Sequence, residues 1–173
     1  MPTDDDPAVT TYIAVVGAGE PNRETDQAAE EVGRALARAR AVVVCGGLGG
    51  VMEAACRGAQ AEGGTTVGIL PGTTRDDANP YLSVAVATGL GEARNVLVVR
   101  AADAVIAVGG EFGTLSEIAF ALKIGTPVIG FGTWELARAG ASVEAIVAAP
   151  SPAAAVDLAL ALAASRQPKS GPD

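Results

Sequence analysis

The chain has no histidine, only two cysteines and two lysines, and its aromatic residues are one tryptophan, two tyrosines and three phenylalanines. Each scarcity excludes a chemistry. Without histidine, neither a Ser-His nor a Cys-His nucleophile pair can be assembled. Cys45 and Cys56 stand outside C-x-x-C spacing, so no zinc site is expected, and Cys45 reads as a core residue. Neither lysine, Lys123 or Lys169, follows a glycine, which removes the G-K-[ST] anchor of a triphosphate loop. Positive charge is also scarce. Twelve Lys and Arg face twenty Asp and Glu, a formal charge of −8 that disfavours nucleic acid and anionic membranes. No apolar run approaches the ~20 residues needed to span a bilayer. The opening MPTDDDP has no basic or apolar leader, so a cytoplasmic protein without membrane association is expected.

Small aliphatic residues fill the gap: 49% of the chain is hydrophobic and 3% aromatic. They fall into short runs of strand length: TYIAVVG (11–17), AVVVCGG (41–47), TTVGILPG (65–72), LSVAVATG (82–89), AVIAVGG (104–110) and PVIGFG (127–132). Segments of helical period separate them, at 26–40, 51–62, 91–100 and 114–123, and a further helix is expected at 151–165. The order reads β-α-β-α throughout. It predicts a single α/β domain over 10–165 with a Rossmann-like, doubly wound parallel sheet, a flexible acidic segment at 1–9 and a flexible tail at 166–173. In such a sheet the carboxyl ends of all strands share one edge, where ligands bind. Gly17, Gly46, Gly47, Gly49, Gly109, Gly110, Gly113 and Thr114 fall on that edge, although strand-to-helix turns favour glycine for purely conformational reasons.

A dinucleotide is disfavoured, because the first turn reads GAGEPN and the second strand ends Cys45-Gly46-Gly47 without an acidic residue. The stretch GGEFGTLSE (109–117) suits a monophosphate better. Its glycines permit close approach, and a helix beginning at Gly113-Thr114 offers free N–H groups and a positive end. Ser116 either caps that helix or contacts the phosphate. Glu117 either complements the helix dipole or sits against the ligand's sugar.

GGLGGVMEAACRGA (46–59), TGLGEARN (88–95) and GGEFGTLSEIAFALK (109–123), in this order, resemble the LOG family of lysine-decarboxylase-like proteins, in particular its branch related to molybdenum cofactor carriers. The resemblance spans about residues 10–150. It implies a Rossmann-like fold, homodimers, and hydrolysis of the N-glycosidic bond of a nucleoside 5′-monophosphate such as AMP, releasing base and ribose 5-phosphate without metal or redox cofactor. Arg94 matches the family's catalytic arginine and Glu117 its catalytic glutamate, suited to an oxocarbenium-like transition state. Two departures favour the alternative, a non-catalytic carrier or sensor of a phosphorylated heterocycle such as a pterin-like phosphate or the molybdenum cofactor. The glycine loop is one residue longer, with Glu111 added, and Asn95 replaces the lysine that commonly follows the arginine. A third reading, DNA binding as in DNA-processing proteins of related fold, conflicts with the charge. The helix at 151–165, apolar nearly all round, is either buried on both faces within one subunit or part of the dimer contact that the resemblance implies.

Overall fold

All six expected runs form strands, each one to four residues shorter than its run. The computed structural model describes residues 10–166; residues 1–9 and 167–173 lie outside the described residues. The strands are β1 (Tyr12–Gly17), β2 (Val42–Cys45), β3 (Thr66–Leu70), β4 (Val84–Ala87), β5 (Ala104–Val108) and β6 (Val128–Phe131), joined by a short β9 (Val147–Ala148). The helices are α1 (Arg23–Arg38), α2 (Val51–Ala61), α3 (Asn95–Arg100), α4 (Phe112–Lys123) and α5 (Pro152–Ser165). A hairpin of β7 (Leu136–Arg138) and β8 (Ala141–Val143) stands apart.

The main sheet runs β4-β3-β2-β1-β5-β6-β9, with every neighbouring pair parallel. Its order reverses between β1 and β5, which opens a crevice at their carboxyl ends. Side-chain alternation divides the core in two. Ile13, Val15, Val43 and Ile106 face α1, α2 and α5, whereas Ala14, Val16, Val44 and Val105 face α3 and α4. Helices α1 and α2 touch backbone to backbone. A Cβ at Gly33 would strike the Ala55 carbonyl, and one at Gly58 the Glu30 carbonyl.

Several expectations are corrected. The β-α-β-α order fails between β3 and β4, where residues 71–83 cross without a helix. Asn79 takes over the pinning: buried at 7% exposure, its N–H and Nδ2 donate to the carbonyls of Gly47 (2.9 Å) and Leu48 (3.1 Å). The expected helix at 91–100 is a 3₁₀ turn (Gly91–Arg94) followed by the six-residue α3. Helix α1 starts at Arg23 rather than Asp26, because Asn22 caps it by accepting from Thr25 N at 2.9 Å. Helix α4 starts at Phe112, two residues before Thr114. Helix α5, capped by Ser151, buries Ala155, Val156 and Ala159 against its own subunit, and its outward residues are Ala153, Asp157, Ala161 and Ala164. Its apolar character is therefore spent within the chain. Cys45 and Cys56 are both buried, with Sγ atoms 3.5 Å apart. Among the described residues, no helix is long and apolar enough to cross a membrane, and no group of three or more His, Cys, Asp or Glu could hold a metal ion.

Candidate functional site

The crevice where the sheet order reverses holds a cleft of about 440 Å³. Its floor is the end of β1, Gly17 to Gly19, and one wall is the start of α4, Glu111 to Glu117. The opposite wall carries Leu48, Met52 and Pro71, and the 3₁₀ turn contributes Glu92 and Arg94. The floor is tied down by α2, whose Val51 N–H donates to the Ala18 carbonyl at 3.0 Å. That approach needs Gly50: its φ is +72°, and a Cβ there would strike the carbonyls of Ala18 and Gly19.

The amino end of α4 has no side-chain cap. Its first N–H groups, at Phe112, Gly113 and Thr114, have no acceptor within the helix. Space around Gly113 is open, with nothing within 4 Å of where a Cβ would stand. Thr114 is buried beneath, its side chain against Gly110. Gly110, with φ of +109°, could carry a side chain only by displacing Thr114 Cβ, 2.5 Å from the added carbon.

Arg94 is 8% exposed, and a short chain of polar groups holds it. One terminal nitrogen donates to Asn95 Oδ1 and the other to the Gly46 carbonyl at 3.3 Å. Asn95 Nδ2 in turn donates to Ser116 Oγ (3.3 Å), which donates to the Gly113 carbonyl (2.7 Å). Asn95 thus fastens the arginine to the first turn of α4. Ser116 back-bonds within the helix and does not cap it. Arg94 Nε is buried without a hydrogen-bond partner, the only such side-chain atom among the described residues. An unmet donor in a native interior costs ~1–3 kcal/mol and calls for an explanation such as a ligand site.

Glu117 is also 8% exposed and forms no hydrogen bond or ion pair within 4 Å among the described residues. Burial pushes its carboxyl up to about 7, with the nearby Arg94 guanidinium pulling the other way. At neutral pH the group lies near its midpoint, able to give or take a proton or a hydrogen bond.

Of the ten residues the sequence nominates, Gly17, Arg94, Gly113, Thr114 and Glu117 line this cleft. Gly46, Gly47, Gly49, Gly109 and Gly110 do not. Gly46 leaves room for the guanidinium, since a Cβ there would stand 2.6 Å from Arg94 Nη2. Gly47 packs under Leu70, and Gly109 accepts the Thr133 hydroxyl at 2.5 Å. Sequence reasoning missed Glu92, Leu48 and Met52 as lining residues. All three stand inside quoted motifs, Glu92 in TGLGEARN and Leu48 and Met52 in GGLGGVMEAACRGA, but nothing in those motifs tells a lining side chain from a packing one.

Residues 10–156 match the SLOG cluster4 family. The chain belongs to that family. The SLOG superfamily includes the LOG-like proteins, in agreement with the three glycine motifs. An uncharacterized protein of Archaeoglobus fulgidus is 49% identical over 116 residues, 67% of this chain and 76% of that one. Among solved structures, the molybdenum cofactor binding protein of Rippkaea orientalis superposes with a TM-score of 0.81 at 36% identity, covering 88% of this chain and 97% of the other. The molybdenum cofactor carrier protein of Chlamydomonas reinhardtii gives a TM-score of 0.79 at 30% identity, covering 90% and 100%. This SLOG protein therefore shares its fold along nearly its whole described length with proteins of the carrier branch.

Proposed function

We propose that this SLOG protein is a cytoplasmic, homodimeric carrier of a phosphorylated heterocycle, with the molybdenum cofactor as the leading candidate. The observation that carries the proposal is Arg94: a buried guanidinium with an unspent Nε donor, fixed by Asn95 beside an uncapped helix start. A phosphate dianion at Gly113 and Thr114 meets the free N–H groups of α4 and its positive end, with Arg94 supplying the opposing full charge. Glu117, further along the same wall, is left for the part of the ligand next to its phosphate, donating when protonated and accepting when not. Two buried, unpaired thiols 3.5 Å apart fit a reducing compartment.

Hydrolysis of a nucleoside monophosphate is the second reading, favoured by the presence of Arg94 and Glu117 in one cleft. It fits less well. A carboxylate that stabilises an oxocarbenium ion must be ionised, and burial pushes the Glu117 carboxyl up to about 7, against ionisation. Glu111 adds negative charge at the same mouth. The similarity to molybdenum cofactor proteins also supports carriage over cleavage.

Two measurements separate the readings. Calorimetry with a pterin monophosphate and with AMP should show micromolar or tighter binding of the pterin phosphate, and incubation with AMP should release no adenine. Gly113→Leu should abolish binding in a folded protein, since the position is helical and open. Release of free base by the wild type, lost in Glu117→Gln, would overturn the carrier reading in favour of the hydrolase.

A further inference from the structure

In a chain so poor in rings, two of them stand together beside the cleft. Phe112 is the most exposed large apolar residue among the described ones, at 79%. Its ring lies 5.6 Å from that of Trp134, centroid to centroid, with a 41° tilt. Trp134 is locked in place: its Nε1–H donates to the Glu111 carbonyl at 3.3 Å, and its neighbour Thr133 donates to the Gly109 carbonyl. The lengthened glycine loop is thus stitched to the segment after β6. These contacts make one ridge. On one side is the phosphate cleft, lined by Glu111 and Gly113; on the other is a second cleft of about 360 Å³ beneath the β7–β8 hairpin, walled by Trp134.

The second cleft is acidic and has no basic residue in its lining. Glu135 and Glu144 face it, and Ser142 Oγ donates to Glu144 Oε1 at 2.5 Å, which orients that carboxylate. A phosphate is repelled there. A planar ring that carries adjacent N–H donors is not: an amino group beside a ring N–H presents two parallel donors to one carboxylate. Guanine and pterin share that edge, and adenine lacks it because its ring nitrogen beside the amino group is an acceptor. Next to such carboxylates, the exposed Phe112 and the half-buried Trp134 supply a stacking surface for the ring.

We infer that the Phe112–Trp134 ridge and the cleft under the β7–β8 hairpin seat the heterocycle of the ligand, and that Glu135 and Glu144 select a ring whose edge sets an amino group beside a ring N–H. This inference rests on the proposed phosphate site at α4, from which the ligand reaches over the ridge. It gives the added loop residue a role, since Glu111 supplies the carbonyl that holds Trp134 and Phe112 supplies the outer ring.

Trp134 is the single tryptophan of the chain, so its fluorescence reports the ridge alone. GMP should quench it and bind at least tenfold more tightly than AMP, while inorganic phosphate should bind without quenching. Phe112→Ala should weaken GMP about tenfold, the loss of one stacking partner. Glu135→Gln and Glu144→Gln should bring the GMP-to-AMP affinity ratio towards one. GMP or pterin monophosphate binding by calorimetry with unchanged Trp134 emission, or with equal affinity in wild type and Phe112→Ala, would overturn the inference and leave the phosphate site standing. No binding of phosphate, GMP or pterin monophosphate would bring down the proposed function and the inference together.

Discussion

Glu117 is where this molecule gives up stability. A carboxyl raised from its ordinary value of 4.5 to about 7 binds a proton more tightly folded than unfolded. Below about pH 4.5 both states are protonated and the group is neutral in its effect. As pH rises towards 7 the unfolded chain ionises first, so native stability falls, and above the folded value the deficit levels off at roughly 3 kcal/mol. Glu117→Gln lacks that titration. Urea unfolding should therefore show the variant gaining on the wild type by about 2–3 kcal/mol between pH 5 and pH 8. A difference independent of pH would mean that Glu117 titrates at its ordinary value. Structural ion pairs behave otherwise: Glu30, half-buried at the α1–α2 contact and hydrogen-bonded to Arg34 of its own helix and Arg57 of α2, is held below the usual carboxylate range. The contrast separates a paired carboxylate that supports the fold from one that burdens it.

The elements differ in how firmly their local chemistry agrees with their shape. Helix α1 has a capping Asn22, acidic residues in its first turn and Arg38 in its last, and its period gathers Ala28, Ala29, Val32, Gly33, Leu36 and Ala37 on the buried side. The β7–β8 hairpin is the opposite case. Its two-residue turn, Ala139-Gly140, holds both residues at positive φ, 52° and 82°, the geometry of a type I′ turn. Alanine is strained there and carries no turn signal, so nothing in the sequence announces the hairpin. Ala139→Asn should relieve that strain and stabilise the protein by up to about 1 kcal/mol, read as a small rise in melting temperature. A fall would show that the methyl group makes contacts worth more than the strain. The β3–β4 crossover has a similar origin. Asn79 folds residues 71–83 against Gly47 and Leu48 through three long-range or local hydrogen bonds, and a single asparagine in a polar stretch does not advertise such partners.

At the scale of the whole molecule, one face is incompletely covered. On the side of α3 and α4, Val84 and Val86 of the edge strand β4 are 48% and 45% exposed, in register with Val67 and Ile69. Leu90, Val96 and Leu97 are exposed nearby in the chain. The α5 helix, which suggested an oligomer from sequence, is occupied within its own subunit, so the proposed homodimer is better served by this surface. Light scattering at micromolar concentration should report about twice the 17.1 kDa chain mass. Val86→Lys, a charge on an edge strand, should shift the population to monomer without unfolding it. A wild type that stays monomeric would defeat the dimer and leave the apolar face unexplained.

The sequence by itself determined six of the seven strands of the main sheet, their parallel order and the edge where the cleft opens, because aliphatic runs ending in glycine are local signals that neighbours do not overrule. It also marked Arg94, Gly113, Thr114 and Glu117, through two of the three short motifs. Only the tertiary structure decided which glycines face the cleft and which merely allow close packing. The same residue type serves both ends, and the difference lies in what stands opposite: a guanidinium for Gly46, Leu70 for Gly47, open space for Gly113. It decided, too, that Asn95 holds Arg94 and that Phe112 meets Trp134, since a hydrogen bond or a ring contact between residues distant in the chain has no signature until the sheet brings them together.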